Sequence, residues 1–463
     1  MTIWSPTLDR SKPLYLAIAD AMTFDVQSGL LAAGDRLPPQ RNLAWKLGVT
    51  LGTVTRAYAE AESRGLLSGE VGRGSFVKTA LRVAPITDLP PDQNDVVDLS
   101  HAIPPPVISS DEFDQALHAI MRDPRKLGLL DYAPPEGFAQ HRTMAVDWLK
   151  RSGIATQEKD VFVTAGAQLG LLTTLQAIAE PGEKVMAETI NYALLRSTFK
   201  NAHLEPLCLP QDQDGLLPDA FEKAAAAKLS RILYLVPTLQ NPTTNTMSRN
   251  RRDDIVTIAR KYDVTIVEDD IFRLLDERVQ APTFYTLAPE RTIHISGLSK
   301  TLAPGLRLGF VATPEGQDRL LRNHLRSMSP RSVGVMGEMA RYWISSGKAD
   351  EILVRIRAEL ARRRAAFMDV FDDFDYRCEP GAPFAWLKLP PQWTANRFAA
   401  ALRTRQIGVS SGNAFDLTGM REGGHHIRIC FGSPQVNWRP SATFETIKAL
   451  ALEHEDEHYS PVA

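Results

Sequence analysis

Between residues 161 and 312, six short apolar runs alternate with stretches of helical periodicity, and this alternation restricts the architecture more than any other feature. The runs are 161–163, 184–187, 231–236, 264–267, 292–295 and 308–312. Short apolar strands separated by helices bury both faces as a largely parallel sheet with helices packed on it, so the spacing predicts an α/β domain. A long charged amphipathic segment, 349–371, follows, and a smaller α+β section with apolar runs at 385–389 and 427–430 closes the chain.

The first 77 residues follow another pattern. Leu14, Ile18 and Met22 recur every four positions after Pro13, which suits the first turn of a helix, and Gly29 and Gly34 bracket its end. A second helix is predicted over about 39–47, stopped by Gly48. Thr50 is placed to cap a third, which carries Val54, Tyr58 and Ala61 on one face and ends at Gly65. Strand-like pieces at 66–68 and 75–77 flank Gly69-Glu70-Val71-Gly72-Arg73-Gly74. Helix, turn, helix and a glycine-rich hairpin is the order of a winged helix-turn-helix. Pro85, Pro90, Pro91 and several aspartates give residues 78–96 the composition of a linker, so the expected division is 1–77, 78–96 and 97–463.

Composition narrows the function classes. A 463-residue chain with 44% apolar and 23% charged residues is not a disordered one. The net charge of −2 hides an asymmetry: residues 1–78 hold nine Lys/Arg against seven Asp/Glu, an excess of two that leaves −4 on the remainder. No run approaches the roughly 18 apolar residues of a membrane span, and residues 1–10 lack a secretory pattern, so a cytoplasmic protein is expected. Cys208, Cys378 and Cys430, odd in number and far apart, fit neither a disulfide framework nor a zinc site, and no metal is expected.

The stretch Ser296-Gly297-Leu298-Ser299-Lys300-Thr301, with Arg307 seven positions after the lysine, carries the most chemistry. A lysine just past a buried strand can form a Schiff base with a phosphorylated aldehyde, while a nearby arginine and hydroxyls bind the phosphate. Glu268-Asp269-Asp270 follows the run 264–267, where a buried carboxylate can keep a pyridine nitrogen protonated. Asn241, in Leu239-Gln240-Asn241-Pro242-Thr243, follows the run 231–236 and can donate to a phenolic oxygen. Ala165-Gly166-Ala167-Gln168 leads from a strand into a helix whose amides can meet a phosphate.

These segments, in this order, resemble the fold type I (aspartate aminotransferase-like) pyridoxal-phosphate enzymes over roughly residues 97–455. The resemblance implies pyridoxal 5'-phosphate as cofactor and Lys300 as its aldimine lysine. It implies that Asp269 pairs with the pyridine nitrogen, Asn241 meets the ring 3-oxygen and Tyr192 stacks on the ring. Arg307 and Ser299 fall on phosphate-binding positions, with Ala167 and Gln168 at the helix end. Arg428 matches the arginine for a substrate α-carboxylate, and Tyr132 a cofactor-pocket tyrosine often contributed by the partner subunit. Two positions depart from the family. Phe272 stands where many relatives have a tyrosine three positions after the aspartate, and Gly297 replaces a phosphate-binding hydroxyl three positions before the lysine.

Residues 34–58, from Gly34-Asp35-Arg36-Leu37-Pro38 to Val54-Thr55-Arg56-Ala57-Tyr58, and the hairpin through Val77 resemble the GntR-type DNA-binding domain. The helix from Leu51 would then lie in the major groove of double-stranded DNA, with Thr53, Thr55 and Arg56 near its N-terminal turns. Arg36 and Arg41 suit phosphates, and Arg73 at the wing tip suits the minor groove or the backbone. Tyr58 is expected in the core. The two domains on one chain resemble the MocR subfamily of bacterial transcription regulators. That resemblance implies a homodimer, commonly head-to-tail, sensing an amino-acid-like or vitamin B6 effector. A metabolic aminotransferase with an accessory N-terminal domain, and a regulator with a cofactor-free scaffold, are the alternatives.

Overall fold

A computed structural model of the chain describes residues 4, 6, 8, 12–27, 31, 35–63, 66–70, 74–77, 96–328, 334–420, 422–432 and 438–453. They divide into two compact units, Met1–Pro85 with Asn396–Ala401, and Ile86–Ala395 with Leu402–Ala463.

In the first unit, α1 (Leu14–Gln27), α2 (Gln40–Leu47) and α3 (Leu51–Ser63) precede an antiparallel hairpin of β1 (Leu67–Glu70) and β2 (Gly74–Val77). Gly48 ends α2 in the left-handed conformation at φ 63°, its N–H reaching the carbonyls of Ala44 and Trp45. Thr50 caps α3, its Oγ1 accepting from the Thr53 amide at 3.2 Å. Ile18, Met22, Leu43, Val54, Ala57 and Tyr58 form the core, and the Tyr58 hydroxyl donates to the Pro38 carbonyl at 2.8 Å. Tyr58 is thus a core residue with its polar end satisfied. Arg73 and residues 78–95 lie outside the described residues.

The second unit opens with β3 (Val97–Asp98), α4 (Ser110–Arg122) and α5 (Ala139–Lys150). Its centre is built from β4 (Val161–Thr164), α6 (Ala167–Ile178), β5 (Lys184–Glu188), α7 (Leu195–Asn201), β6 (Glu205–Leu209), a small hairpin of β7 (Gln211–Asp212) and β8 (Gly215–Leu216), α8 (Pro218–Ala226), β9 (Ile232–Leu235), α9 (Arg249–Lys261), β10 (Thr265–Asp269), α10 (Phe284–Leu287), β11 (Thr292–Gly297), β12 (Gly309–Ala312) and α11 (Asp318–Met328). Seven strands form one sheet in the order β4-β12-β11-β10-β9-β5-β6, parallel except for β12, which runs against both neighbours. Successive strand residues face opposite sides. Tyr234, Val267 and Ile295 pack with α6, α7 and α11. Leu233, Leu235 and Ile266 pack with α8, α9 and α10.

Beyond the sheet come α12 (Gly334–Ser345), α13 (Lys348–Val370), β13 (Tyr376–Arg377), β14 (Phe384–Lys388), α14 (Ala395–Thr404), β15 (Ile407–Gly408), β16 (Ser410–Ser411), β17 (His426–Cys430) and α15 (Pro440–Leu452). Four of these strands form an antiparallel sheet, β13-β14-β17-β16, while β15 pairs with β3 in parallel.

Strand β10 runs two residues beyond the apolar run that marks it, so Glu268 and Asp269 end the strand rather than follow it. Glu268 tolerates full burial there because its carboxylate accepts from the amides of Phe284 and Tyr285 at 2.8 and 3.1 Å and meets His294 Nδ1 at 2.9 Å. Two backbones touch where β12 passes the start of α6: a Cβ on Gly309 would stand 2.4 Å from Ala167 N and 2.4 Å from Gly166 C. Gly309→Ala is therefore expected to cost about 1–3 kcal/mol of unfolding free energy, by overpacking against backbone that cannot swing aside, read from denaturant midpoints.

Candidate functional site

The C-terminal ends of β4, β5, β9, β10 and β11 share one edge of the sheet, and antiparallel β12 begins there. Ligands of open α/β sheets bind at this edge. Asp269, at the end of β10, is buried, with Oδ2 accepting from the Tyr234 hydroxyl at 2.9 Å while Oδ1 has no hydrogen-bond partner. Burial pushes its carboxyl up to about 6, with Tyr234 pulling the other way and Asp270 adding to the rise. A half-satisfied buried carboxylate needs a donor, and a protonated ring nitrogen is one.

Lys300 follows β11, partly buried, its Nζ donating to the Ala102 carbonyl at 2.6 Å. Burial, reinforced by the positive charge of Arg428, lowers its amine to about 8. Arg428, on β17, is buried. Its Nη1 donates to Asn241 Oδ1 at 2.7 Å, its Nη2 to the Ser100 carbonyl and to Ser410 Oγ, and its Nε has no partner. Asn241 is buried at a cis peptide bond with Pro242, and its acceptor end is taken by Arg428, which leaves its amide N–H groups to donate. Tyr192 is partly buried against the sheet-facing core cluster, and its hydroxyl feels the charges of Asp269, Arg428 and Arg307.

The third part is an anion cradle. Helix α6 starts at Gly166 with no side-chain cap, so its first amides, including those of Ala167 and Gln168, have no intrahelical acceptor. Gln168 uses its side chain elsewhere, donating to Thr198 Oγ1 at 2.6 Å. The Arg307 guanidinium lies over Gly166, where a Cβ would sit 2.9 Å from Nη2. Arg307 holds φ 49°, a left-handed conformation that costs a non-glycine residue energy, and its side chain has no hydrogen-bond partner among the described residues. Ser299 lies one residue before Lys300, partly buried. Unpaired amides, an unpaired guanidinium and a hydroxyl fit a phosphate, so the donor set fits the whole of a phosphorylated pyridine aldehyde.

The structure brings Lys300, Asp269, Asn241, Tyr192, Arg307, Ala167 and Arg428 to the one edge. Tyr132 is not brought in by its own chain and stands 87% exposed. Phe272 is core, edge-on to Phe384 at 5.6 Å, and donates nothing. Gly297 has no room for a hydroxyl-bearing side chain, because a Cβ there would meet the Leu308 carbonyl at 2.8 Å. Tyr234 was not legible as a site residue: it is one hydroxyl inside an apolar strand run, aligned with Asp269 only by the pairing of β9 with β10.

In the first unit, Arg36 and Arg41 are exposed, as are Thr55 and Arg56, while Thr53 is half-buried. Thr53 Oγ1 bonds Thr50 Oγ1 at 2.8 Å, and Thr55 Oγ1 donates to Gln40 Oε1 at 2.7 Å, tying α3 to α2. Arg56 lies over the Tyr15 ring at 4.3 Å. Trp45, 88% exposed on α2 beside Lys46 and one turn from Arg41, is an exposed aromatic that helical periodicity does not mark.

The chain matches the family described as aminotransferase class I and II over residues 94–439, and that of bacterial regulatory proteins, gntR family, over residues 14–77. The chain belongs to the aminotransferase class I and II family. A gntR-type segment precedes that domain, an organisation consistent with the MocR subfamily, and the cofactor the fold implies is pyridoxal 5'-phosphate. It is similar to the HTH-type transcriptional regulator YdeF of Bacillus subtilis, 29% identical over 85% of each chain. It is also similar to the HTH-type pyridoxine biosynthesis transcriptional regulator PdxR of Corynebacterium glutamicum, 28% identical over 75% of this chain and 76% of PdxR. The HTH-type regulator TauR of Rhodobacter capsulatus is 27% identical over 89% of this chain and 91% of its own. Among solved structures, the α-aminoadipate aminotransferase LysN of Thermus thermophilus shares the fold with a TM-score of 0.70 at 22% identity, covering 77% of this chain and 92% of LysN. Family members of this fold are typically dimeric, and among the described residues no helix is long and apolar enough to cross a membrane.

Two predictions follow from this geometry. Tyr234→Phe is expected to weaken pyridoxal phosphate binding by roughly ten-fold at neutral pH, since a hydrogen bond to a charged group is lost. The carboxylate is present above about 6 and is lost as pH falls through that value, so the acid limb of cofactor affinity should move to higher pH in the variant, read by fluorescence titration. Arg56→Ala is expected to reduce the slope of log affinity for duplex DNA against log salt by about one, and an unchanged slope assigns Arg56 to packing on Tyr15.

Proposed function

We propose that this protein is a pyridoxal-phosphate-dependent transcription regulator. Residues 1–77 bind operator DNA, 78–96 are a linker, and 97–463 form a head-to-tail homodimer that senses an amino-acid-like or vitamin B6 ligand at Lys300. The observation that carries the reading is the meeting of a lysine amine, the unpartnered Asp269 Oδ1 and the unpartnered Arg428 Nε within reach of one another's charge, on a chain whose other end matches the gntR family. A run of exposed apolar side chains at Met121, Leu127, Leu130 and Tyr132 supports a partner subunit covering that surface.

When bound, pyridoxal phosphate supplies an aldehyde that condenses with primary amines and a ring that draws electron density from the bound group. The residues have separable tasks. Lys300, with its amine lowered to about 8, is unprotonated to roughly a tenth at pH 7 and so is a competent nucleophile. Asp269 Oδ1 accepts from the ring nitrogen, Asn241 donates to the ring oxygen and Tyr192 covers a ring face. Arg307, Ser299 and the Ala167 and Gln168 amides hold the phosphate. Arg428 takes a ligand carboxylate, its guanidinium already oriented by Asn241 and Ser410. Tyr132 reaches the partner's pocket. On DNA, Thr53, Thr55 and Arg56 read the major groove, Arg36 and Arg41 hold phosphates, and Arg73 is the wing-tip contact.

The same set would also serve a transaminase. The buried phenyl ring of Phe272 favours sensing, because it withholds the hydroxyl that helps tune the lysine linkage. The test uses the full chain, pyridoxal phosphate and a duplex from upstream of the protein's own gene. A visible absorbance band absent from Lys300→Ala, together with a DNA affinity that shifts when α-amino acids, ω-amino acids, aminosulfonates or the cofactor are added, is the expected result. Duplex affinity indifferent to the cofactor and to every amine removes the sensing role. Steady turnover of an amino donor with a keto acid, retained after deletion of residues 1–77, establishes the transaminase instead.

A further inference from the structure

Residues 97–103, the first described stretch after the linker, are stitched into the second unit largely through their own main chain. Val97 N donates to the Gln406 carbonyl at 2.9 Å and Leu99 N to the Gly408 carbonyl at 2.7 Å. Cys430 N donates to the Leu99 carbonyl at 2.8 Å, and Ser410 Oγ to the Ser100 carbonyl at 3.0 Å. The Ile103 carbonyl lies so close to Gly432 that a Cβ there would overlap it. Asp98 braces the turn from within, accepting from the Ser100 amide at 2.9 Å and meeting His101 Nδ1 at 2.9 Å.

Two bonds of this segment are of another kind. The Ser100 carbonyl accepts from Arg428 Nη2, and the Ala102 carbonyl, two residues on, accepts from Lys300 Nζ. These are the two cationic groups that the proposed function gives to a ligand: the amine for an aldehyde carbon and the guanidinium for a carboxylate. A lysine nitrogen bonded covalently to the cofactor no longer offers its ammonium hydrogens to Ala102. A carboxylate on Arg428 is a stronger, charged acceptor than the neutral Ser100 carbonyl and competes with it.

Resting on that function, we propose that Leu99–Ile103 is a strap that reports occupancy of the site. Its Ala102 carbonyl is held by Lys300 until the cofactor engages the lysine, and its Ser100 carbonyl is held by Arg428 until a carboxylated ligand takes the guanidinium. Binding at either cation and the seating of the strap are then linked, and linkage is reciprocal: whatever pulls on the strap alters ligand affinity by the same factor. Being contiguous in the chain with the linker and, through it, with the DNA-binding segment, the strap gives one short route by which an amine and a carboxylate bear on DNA affinity. The cofactor alone releases the Ala102 end, and an amine that displaces Lys300 from the cofactor frees the lysine nitrogen to hold Ala102 again.

Hydrogen exchange by mass spectrometry on the full chain tests this in peptides spanning 97–104 and 426–432, with peptides of β9 and β10 as references for global folding. In the cofactor-free protein, Lys300→Ala is expected to raise exchange in 97–104 by roughly ten-fold, an ordinary size for coupling between two sites, with the reference peptides unchanged. Pyridoxal phosphate added to the wild type is expected to move the same peptide in the same direction, and Arg428→Ala to raise exchange in 426–432 as well. Equal exchange in wild type and Lys300→Ala overturns the strap. A visible cofactor band with unaltered exchange in 97–104 also overturns it while leaving the proposed function standing. No band in the wild type removes both.

Discussion

A carboxylate held in a buried parallel sheet with one oxygen unpaired is the constraint on which the site depends. Asp269 is fully enclosed at the end of β10, and the hydroxyl of Tyr234 satisfies only one of its two oxygens. Left so, the charge is costly, which is why the carboxyl rises to about 6. A cationic ring nitrogen removes that cost. Arg307 in a left-handed conformation and the uncapped start of α6, at the same sheet edge, form a complementary debt of positive character. The two ends of the site are each unsatisfied alone and are satisfied together by one molecule carrying a basic ring and a phosphate.

Close backbone approach makes this arrangement rigid. Gly309 lets β12 pass against the first residues of α6, and Gly166 leaves space for the arginine that crosses them. The same crowding explains Gly297, where a side chain would meet the Leu308 carbonyl. Tight strand packing thus excludes a hydroxyl from that place, and Arg307, Ser299 and the helix amides are the donors left to meet a phosphate in the proposed function.

The parts that could be read from the sequence are those whose chemistry is local to a few consecutive residues. The lysine with its neighbouring hydroxyls and arginine, the Glu-Asp-Asp run after an apolar strand, Gly48 and Thr50 at helix ends, and the strand–helix alternation all announce themselves within a short window. The strand ends were less legible, because charged Glu268 and Asp269 look like a turn until the amides of Phe284 and Tyr285 and the ring of His294 are seen to satisfy Glu268. Tyr234 was hidden because its partner sits on the neighbouring strand, and register is a property of the folded sheet. The Ser100 and Ala102 carbonyls were hidden for a deeper reason: a main-chain oxygen has no letter in a sequence.

The reversal of β12 has one more consequence. Because β11 arrives at the functional edge and β12 departs from it, a single loop, residues 298–308, carries both Lys300 and Arg307 without crossing the sheet. In the proposed function the covalent anchor and the ionic anchor are therefore hinged on the same short arch, and a change in the length of 298–308 would move both.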